Sequence, residues 1–383
     1  MTSRERLLTT LQHKEPDRVP LDLASTQVTG IAVKACQNLR SFLNLQPSVP
    51  NICDVIQQIC IPEDDILEKF GVDTRGLWPI TNHNYDFNDK DDCQFLSHID
   101  EWGLGFRFNK QSGLYYELHL NPLANLPFTE GTVEKHNWPK GGKQGRFEGL
   151  REEAIIFRDA GYAVVLKSVC AGLLEMAIRL RGMENFLIDM ISDEKTSALL
   201  LDKILEIKLD YWKTALEKLS DVVDVIAEGD DFGTQTSQLI SPDMFRRIIK
   251  PRQAKLISFI KKKAPKAHVF FHSCGNVYAL LPDFIEMGID ILNPVHITAA
   301  GMEPAKLKKE FGNDITFWGA GIDTQGVLPC GSAEQVKEQV KRNIETFAPG
   351  GGFVFNTIHN IQADVPPRNI AAMYEALHEY GKY

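Results

Sequence analysis

The sequence lacks both a long hydrophobic run and an apolar leader. No stretch reaches the ~18 consecutive apolar residues that a membrane-spanning helix needs. The N-terminal stretch, MTSRERLLTTLQHKEPDRVP, is charged and amphipathic and contains no apolar core of a signal peptide. We therefore expect a cytoplasmic protein that has no membrane partner.

Cysteine and positive charge are also scarce. Seven cysteines among 383 residues are an odd number, spread thinly, which is typical of reduced thiols rather than of a disulfide framework. The net charge of −9 argues against a surface for nucleic acid or anionic membranes, since both need clustered Lys and Arg. The expected partners are a small molecule and another protein, and a homo-oligomer is compatible with this composition.

A third absence concerns nucleotide binding. No G-x-G-x-x-G turn opens a helix after a strand, so a dinucleotide-binding open sheet has no support. The chain instead contains eight strand-like segments that alternate with helical patterns, at 18–23, 71–80, 163–169, 221–229, 268–272, 290–295, 314–320 and 351–357. This alternation predicts a parallel sheet with crossover helices. Eight units predict an α/β fold of the (β/α)8 TIM-barrel type, as one domain over residues 1–383.

One region interrupts the alternation. Residues 81–150 are rich in Trp, Tyr, Phe, Asn and Gly, and within them IDEWGLGFRFNKQSGLYYELHL alternates and turns at KQSG like a β-hairpin. We interpret this region as an insertion that forms a lid over a site. Its aromatic residues would wall an apolar pocket: Trp102, Phe106, Phe108, Tyr115 and Tyr116. Before the insertion, the pattern predicts helices over 30–44 and 51–70.

In a barrel, functional groups follow the carboxyl ends of the strands. His272 and Cys274 follow the fifth strand, in HVFFHSCGN, two positions apart. Alternate residues of an extended chain point the same way, so both can reach one cation, and a thiolate with an imidazole favours Zn²⁺. The alternative is a histidine bonded to the backbone beside an inert cysteine, and spacing alone does not decide between them.

Other polar residues follow neighbouring strands. Glu228 and Asp230 have the same spacing after the fourth strand, and we predict that they act as catalytic acid and base or complete the metal coordination. Their alternative role is the beginning of a loop or a helix cap. Asp323 and Gln325 follow the seventh strand, where we expect them to line the pocket or to hydrogen-bond a metal ligand.

Longer motifs connect these residues across most of the chain. They are SRERLLTTLQHKEPDRVPLDL at 3–23, EGDDFGTQTSQLISPDMFRRIIKP at 228–251, FHSCGNVYALLPDFIEMGIDILNPV at 271–295, GAGIDTQGVLPCGSAEQVKEQV at 319–340 and VPPRNIAAMYEA at 365–376. In order and spacing the chain resembles the uroporphyrinogen decarboxylase-like superfamily, and more closely its zinc-dependent, corrinoid-linked methyltransferase branch. The resemblance implies a (β/α)8 barrel, in agreement with the strand count.

The resemblance also implies a set of metal ligands. In this branch zinc is held by the His and Cys of an H-x-C-G motif, which match His272 and Cys274, and by a later Cys near the end of strand eight. When the final N-I-x-A-M block is laid without gaps, that late Cys falls on His359. Imidazole is also a good zinc ligand, and the exchange makes the metal more Lewis acidic. Asn360 and Gln362 would then support His359.

The function that the resemblance implies is methyl transfer. The enzyme would move a methyl group between a small methylated substrate and the cobalt of a corrinoid (cobalamin). A separate protein would carry the corrinoid, because this chain has no D-x-H-x-x-G cobalamin signature. A His/Cys/His set polarises an ether oxygen more strongly than a set with two thiolates, which favours O-demethylation of a methyl ether. A thiol-accepting methylcorrinoid methyltransferase stays open as an alternative.

The second alternative is a cofactor-independent decarboxylase. In the decarboxylase proper an arginine-rich motif that resembles R-Q-A-G-R clamps the substrate carboxylates, whereas this chain reads ASTQVTGIAV at 24–33, without arginine. A decarboxylase that acts on a smaller acid would need arginines at the barrel mouth. Arg75 is the clearest candidate for that role.

Overall fold

The structure, a computed structural model, describes residues 1–81 and 90–383. The helices are Ser3–Leu11 (α1), Val33–Phe42 (α2), Asp64–Phe70 (α3), Glu130–Lys135 (α4), Leu150–Asp159 (α5), Leu173–Arg181 (α6), Met183–Ser192 (α7), Glu194–Leu219 (α8), Pro242–Met244 (α9), Lys250–Lys263 (α10), Leu281–Glu286 (α11), Pro304–Phe311 (α12), Val327–Cys330 (α13), Ala333–Phe347 (α14) and Pro367–Tyr380 (α15). A π-helical stretch, Phe245–Ile249, joins α9 to α10, and a 3₁₀ turn, Tyr278–Leu280, precedes α11.

Three sheets contain the strands of the described residues. The strands are Ile31–Ala32 (β1), Asn51–Asp54 (β2), Ile59–Ile61 (β3), Thr74–Leu77 (β4), Lys90–Asp91 (β5), Phe95–Ile99 (β6), Gly105–Asn109 (β7), Glu117–Leu120 (β8), Ala163–Lys167 (β9), Val225–Gly229 (β10), His268–His272 (β11), Ile291–Asn293 (β12), Thr316–Trp318 (β13) and Phe353–Val354 (β14). Among these same residues, no helix has the length and apolar content that crossing a bilayer requires.

The central sheet has seven strands in the order β14-β13-β12-β11-β10-β9-β4, and every neighbouring pair is parallel. Its strands are buried on both faces because helices cover the outside and side chains fill the inside. Seven of the eight predicted segments therefore form the strands of a curled α/β barrel wall.

The eighth predicted segment, 18–23, closes the wall without forming a regular strand. Leu21 forms a single parallel bridge with Phe355, and the Asp22 N–H donates to the Phe355 carbonyl at 3.0 Å. On the other side the Asp73 N–H donates to the Leu21 carbonyl at 2.8 Å. Pro20 has no N–H with which to continue a ladder, so the pairing stays short.

One end of the barrel interior is filled by apolar side chains and by the first helix. Leu7 and Leu11 of α1 pack with barrel residues that include Val225, Phe270 and Trp318. The helix begins where Thr2 and Glu5 form a reciprocal capping box. The functional groups lie at the opposite, carboxyl end of the strands.

The segment 51–70 corrects one prediction. A helix was expected there, but β2 and β3 form an antiparallel hairpin that pairs with β1, and only α3 is helical. Pro50 and Pro62 bracket the hairpin and disfavour helical backbone at the residues before them, and the isoleucines between them suit a pleated strand.

The aromatic-rich region forms a separate antiparallel sheet in the order β5-β6-β7-β8. Its β7 and β8 flank the KQSG turn, as the alternation predicted. Residues 82–89 of the predicted insertion lie outside the described part of the chain.

Asp73 ties the irregular first segment to the barrel, and we expect its removal to destabilise the fold. Its fully buried carboxylate accepts from Arg6 at 2.6 Å, from Arg18 at 2.8 Å and from the Leu21 N–H at 2.8 Å. Asp73→Asn leaves these donors uncompensated and should lower the free energy of unfolding by about 3–5 kcal/mol. Urea denaturation measures the change.

The matched control is Asp17→Asn. Asp17 also pairs with Arg6, at 2.6 Å, but its side chain is 44% exposed. Its loss should cost about 1 kcal/mol or less. Equal losses in the two variants would show that Asp73 does not close the barrel.

Candidate metal site and adjoining cavity

His272 is held in one orientation by the neighbouring strand. It ends β11 directly opposite Asn293 of β12, and its Nδ1 lies 2.6 Å from Oδ1 of Asn293. The Asn293 amide nitrogen donates to the Trp318 carbonyl at 2.8 Å, so Oδ1 is the atom left to accept. The proton of His272 therefore lies on Nδ1, and Nε2 keeps a lone pair for a cation.

Cys274 lies beside that lone pair. Its Sγ is 3.4 Å from Nε2 of His272, and its backbone N–H donates to Oδ1 of Asp231 at 2.8 Å. Burial, with the negative charge of Asp231, raises the pKa of the Cys274 thiol well above its ordinary value. Gly275 turns the chain at φ +80°, and a Cβ there would lie 2.5 Å from the backbone of Gly233.

His359 approaches from the loop after β14. One ligand atom from each of His272, Cys274 and His359 lies within 4.8 Å of the other two. Burial, with the electrostatic effect of the nearby His272 ring, lowers the pKa of His359 to about 4, so its ring is neutral at pH 7. The Asn360 N–H donates to Nδ1 of His359 at 2.8 Å. A cation bound through Nε2 of His359 therefore requires a proton shift or a turn of the ring.

These three side chains fit a zinc ion by the chemistry of their donors. Two imidazoles and one thiol form a donor set that Zn²⁺ prefers, whereas Mg²⁺ and Ca²⁺ prefer oxygen. His272 already has the tautomer that binding requires. The structure thus brings together the three ligands that the sequence and the resemblance predicted.

Glu228 lines the barrel interior, but its charge is already compensated. Its carboxylate pairs with Nζ of Lys208 at 2.8 Å, accepts from Ser168 at 2.9 Å and also accepts from the Trp212 indole. Lys208 comes from α8 and is fully buried. Glu228 therefore belongs to a buried polar cluster that forms part of the cavity wall.

Asp230, for which the sequence predicted a catalytic role, bonds to the protein and is not among the described residues that line the cavity, so that role stays a prediction. It accepts from the backbone N–H groups of Leu174 and Glu175 at 2.8 and 2.9 Å, and from Gln253 at 3.0 Å. Burial raises the pKa of Asp230 to about 8, and the two backbone N–H groups act in the opposite direction. The side chain thus caps the beginning of α6.

Asp231 is a carboxylate that approaches His272 and the backbone of Cys274, and sequence reasoning did not select it. Its Oδ1 lies 3.8 Å from Nε2 of His272 and accepts from the Cys274 N–H. The prediction extended strand alternation from Glu228 to Asp230, but β10 ends at Gly229 and the alternation ends with it. In the sequence, the signal for Asp231 was its position directly after Asp230, in a pair of acidic residues.

The remaining predicted residues support loops. Asp323 accepts from the backbone N–H groups of Gln325 and Gly326 at 2.9 and 3.0 Å, which shapes a turn. The Gln325 side chain accepts from Gln235 at 2.7 Å. Neither Asp323 nor Gln325 is among the described residues that line the cavity.

Asn360 and Gln362 differ in position. Asn360 accepts from the Gly30 N–H at 2.8 Å and donates to Gln57 at 3.2 Å, so it fixes the loop that carries His359. Gln362 is exposed. Of the two, only Asn360 is placed to support His359.

A cavity of about 290 Å³ adjoins His272 and His359. It is lined from the insertion by Asp100, Glu101, Trp102 and Leu104, and from the barrel by residues that include Lys167, Cys170, Met176, Arg179, Ala227, Glu228, Asp231 and Phe270. Among the aromatic residues predicted to wall it, Trp102 does so, Phe106 and Tyr116 are buried in the core, and Tyr115 is exposed. Lys167 was not predicted.

Comparison with known proteins decides the family. The sequence profile described as Uroporphyrinogen decarboxylase (URO-D) matches residues 113–380, more than half of the chain. A uroporphyrinogen decarboxylase of Vibrio vulnificus (strain YJ016) is 44% identical over 307 residues, which are 75% of this chain and 77% of that protein. The chain belongs to the uroporphyrinogen decarboxylase family.

Other members of the uroporphyrinogen decarboxylase family match over a shorter stretch. The protein of Legionella pneumophila (strain Corby) is 25% identical over 193 residues, 50% of this chain and 51% of that protein, so this chain spans about half the length of that relative. Among solved structures, a methyltransferase from Methanosarcina mazei covers 99% of both chains with a TM-score of 0.67 and 20% identity. The family match and this shared fold confirm the predicted superfamily and the barrel.

We expect Glu228→Gln to destabilise the protein because it leaves Lys208 charged and fully buried without a partner. The expected loss is about 3–5 kcal/mol of the free energy of unfolding. Chemical denaturation measures it, and the double variant Lys208→Met with Glu228→Gln should recover part of the loss.

Glu175→Gln is the matched control for this prediction. Glu175 lines the same cavity and pairs with Arg179, but both side chains are about one-third exposed. The expected change is about 1 kcal/mol or less. If Glu228→Gln lowered the free energy of unfolding by no more than this control, the ion pair between Glu228 and Lys208 would not stabilise the barrel.

Proposed function

We propose that this protein is a zinc-dependent methyltransferase. It would transfer a methyl group between a small methylated substrate, in the first instance a methyl ether in O-demethylation, and the cobalt of a corrinoid on a separate protein. The observation that carries the proposal is the approach of His272, Cys274 and His359 to within 4.8 Å beside a cavity. The fold shared with a methyltransferase from Methanosarcina mazei is compatible with it.

Each nearby residue has a stated part in this proposal. His272, Cys274 and His359 would hold the zinc, which when bound supplies a Lewis acid for the heteroatom that carries the methyl group. Asn293 keeps the proton of His272 on Nδ1. Trp102 of the insertion lines the cavity, where it would limit the access of water.

The proton for the leaving oxygen requires an acid in the cavity. The sequence predicted Glu228 or Asp230, but Glu228 is paired with Lys208 and Asp230 caps α6. We assign this role to Asp231, which lines the cavity and lies 3.8 Å from Nε2 of His272; its carboxylate would take up a proton from solvent and pass it to the leaving oxygen.

A cofactor-independent decarboxylase has weaker support. Its best arginine, Arg75, bonds to backbone carbonyls and stacks on Tyr162 at 3.7 Å, and it is not among the described residues that line the cavity. Arg179 does line the cavity, but it is paired with Glu175. Because no unpaired arginine is among the described residues of the cavity wall, the group of two imidazoles and one thiol beside the cavity favours methyl transfer.

The proposal predicts one zinc per chain, bound through the three ligands. His272→Ala and Cys274→Ser should each lower zinc affinity by on the order of 100-fold or more, and Asn293→Ala by about 10- to 100-fold because it orients a ligand. Metal analysis and competition with a chelator measure the affinities. Cys170→Ser is the matched control, since this thiol lines the same cavity outside the ligand group.

Activity completes this test. With free cob(I)alamin as methyl acceptor and a panel of methyl ethers, the zinc-loaded protein should form methylcobalamin, and the Cys274→Ser variant should not. Full zinc occupancy in the double variant His272→Ala with Cys274→Ser would overturn the proposed site.

Zinc binding should also release a proton from Cys274. Because the pKa of this thiol is raised well above its ordinary value, it is protonated at pH 7 and must ionise to bind, whereas neutral His359 contributes no proton. Between pH 7 and 8.5, zinc affinity should rise about tenfold per pH unit. Calorimetry in buffers of different ionisation enthalpy measures the released proton, and a Cys274→Ser variant that still released it would contradict the assignment.

A further inference from the structure

Lys167 is a buried cation that faces the cavity. It ends β9, is 7% exposed and lines the cavity from the barrel wall. Its Nζ lies 4.8 Å from the centre of the Trp78 ring. Within residues 1–81 and 90–383, no hydrogen bond or ion pair reaches this nitrogen.

The other charged side chains of the cavity wall that the structure describes each have an ion pair or a hydrogen bond. Carboxylates pair with cations in Glu228–Lys208, Glu175–Arg179 and Glu101–Arg146. The remaining three carboxylates accept backbone N–H groups: Asp54 from Gln57, Asp100 from Trp102 and Leu104, and Asp231 from Cys274. Lys167 is the one charged side chain of this wall that forms neither an ion pair nor a hydrogen bond with another described residue.

A buried lysine that forms no ion pair lowers the stability of the folded protein. Burial lowers the pKa of Lys167, and the carboxylate of Asp54 opposes that effect without coming within ion-pair distance. A buried ammonium is ordinarily paired with an anion, because removal from water without a partner is unfavourable. The anion that this site lacks can therefore come from a ligand.

We propose that Lys167 binds the carboxylate of the substrate, so that the methylated substrate is a small carboxylic acid. Its apolar body would lie against Val28, Met176 and Phe270, which line the same cavity. The cavity of about 290 Å³ suits a small molecule. That the acid is methylated rests on the proposed function, whereas the anion site rests on Lys167 alone.

Binding of a matched pair of probes tests this site. The probes are 4-methoxybenzoate and its uncharged isostere 4-methoxybenzamide, added to the protein freed of metal with a chelator. Quenching of tryptophan fluorescence, with Trp78 beside Nζ and Trp102 in the wall, reports binding. The wild type should bind the acid about ten- to a hundredfold more tightly than the amide, which is the usual strength of a hydrogen bond to a charged group.

Lys167→Met should abolish this preference and leave amide binding unchanged. Met has nearly the length of Lys and no charge, so the variant should fold and melt at a higher temperature than the wild type. Lys203→Met is the control for lost net charge, because Lys203 is paired with Glu206 and is not among the described cavity residues; it should keep the preference. A preference retained in Lys167→Met, no preference in the wild type, or no binding of either probe at millimolar concentration would overturn the proposal.

The double variant His272→Ala with Cys274→Ser separates this inference from the proposed function. It should retain the preference for the acid, because Lys167 lies outside the ligand group. A preserved preference in a wild-type protein that neither binds zinc nor transfers methyl groups would leave the anion site standing and remove the methyltransferase. Zinc binding and methyl transfer by a wild-type protein that shows no preference for the acid would leave the methyltransferase standing and remove the anion site.

Discussion

The hydrogen bond between Nδ1 of His272 and Asn293 orients the whole site. It exists because β11 and β12 are parallel and in register, so that the ends of the two strands face each other. Asn293 is fixed in turn by the Trp318 carbonyl of β13. The barrel wall thus selects the tautomer of one imidazole, and with it the direction in which Nε2 presents its lone pair.

The charges around the cavity divide into two groups that serve different ends. Glu228 with Lys208 and Asp230 with the beginning of α6 are satisfied within the protein, so they hold the wall rigid. Asp231 and Lys167 face the cavity with capacity to spare, one at the ligand cluster and one on β9. A rigid wall with few unsatisfied groups is what a site needs if its ligand is to be oriented rather than merely enclosed.

Sequence reasoning succeeded where periodicity and local geometry decide structure. Seven buried strands and the KQSG hairpin follow from hydrophobic pattern and turn chemistry. Sequence reasoning also expected Cys274 beside His272, although Cys274 follows the end of β11 and strand alternation alone does not account for its position. It failed at 51–70, where two prolines and strand pairing outweighed a helical pattern. It did not anticipate that Asp230 bonds to the beginning of α6, because β10 ends at Gly229 and alternation cannot be extended past the end of a strand.

Lys167 shows a second limit of prediction from sequence. In AVVLKSV a lysine at the end of a strand looks like a solvated residue, and only the fold places it inside a barrel with its neighbours already paired. Ion pairs such as Lys208–Glu228 join residues from distant elements in the same way.

The sequence by itself determined the succession of strands and helices, the family, and the local spacing of His272 and Cys274, because these depend on near neighbours in the chain. The tertiary structure decided that His359 meets them, that Asp231 lies beside them, and that Lys167 forms no ion pair or hydrogen bond within residues 1–81 and 90–383. Those facts depend on which side chains from separate strands share one small space, and that is set by the closure of the barrel.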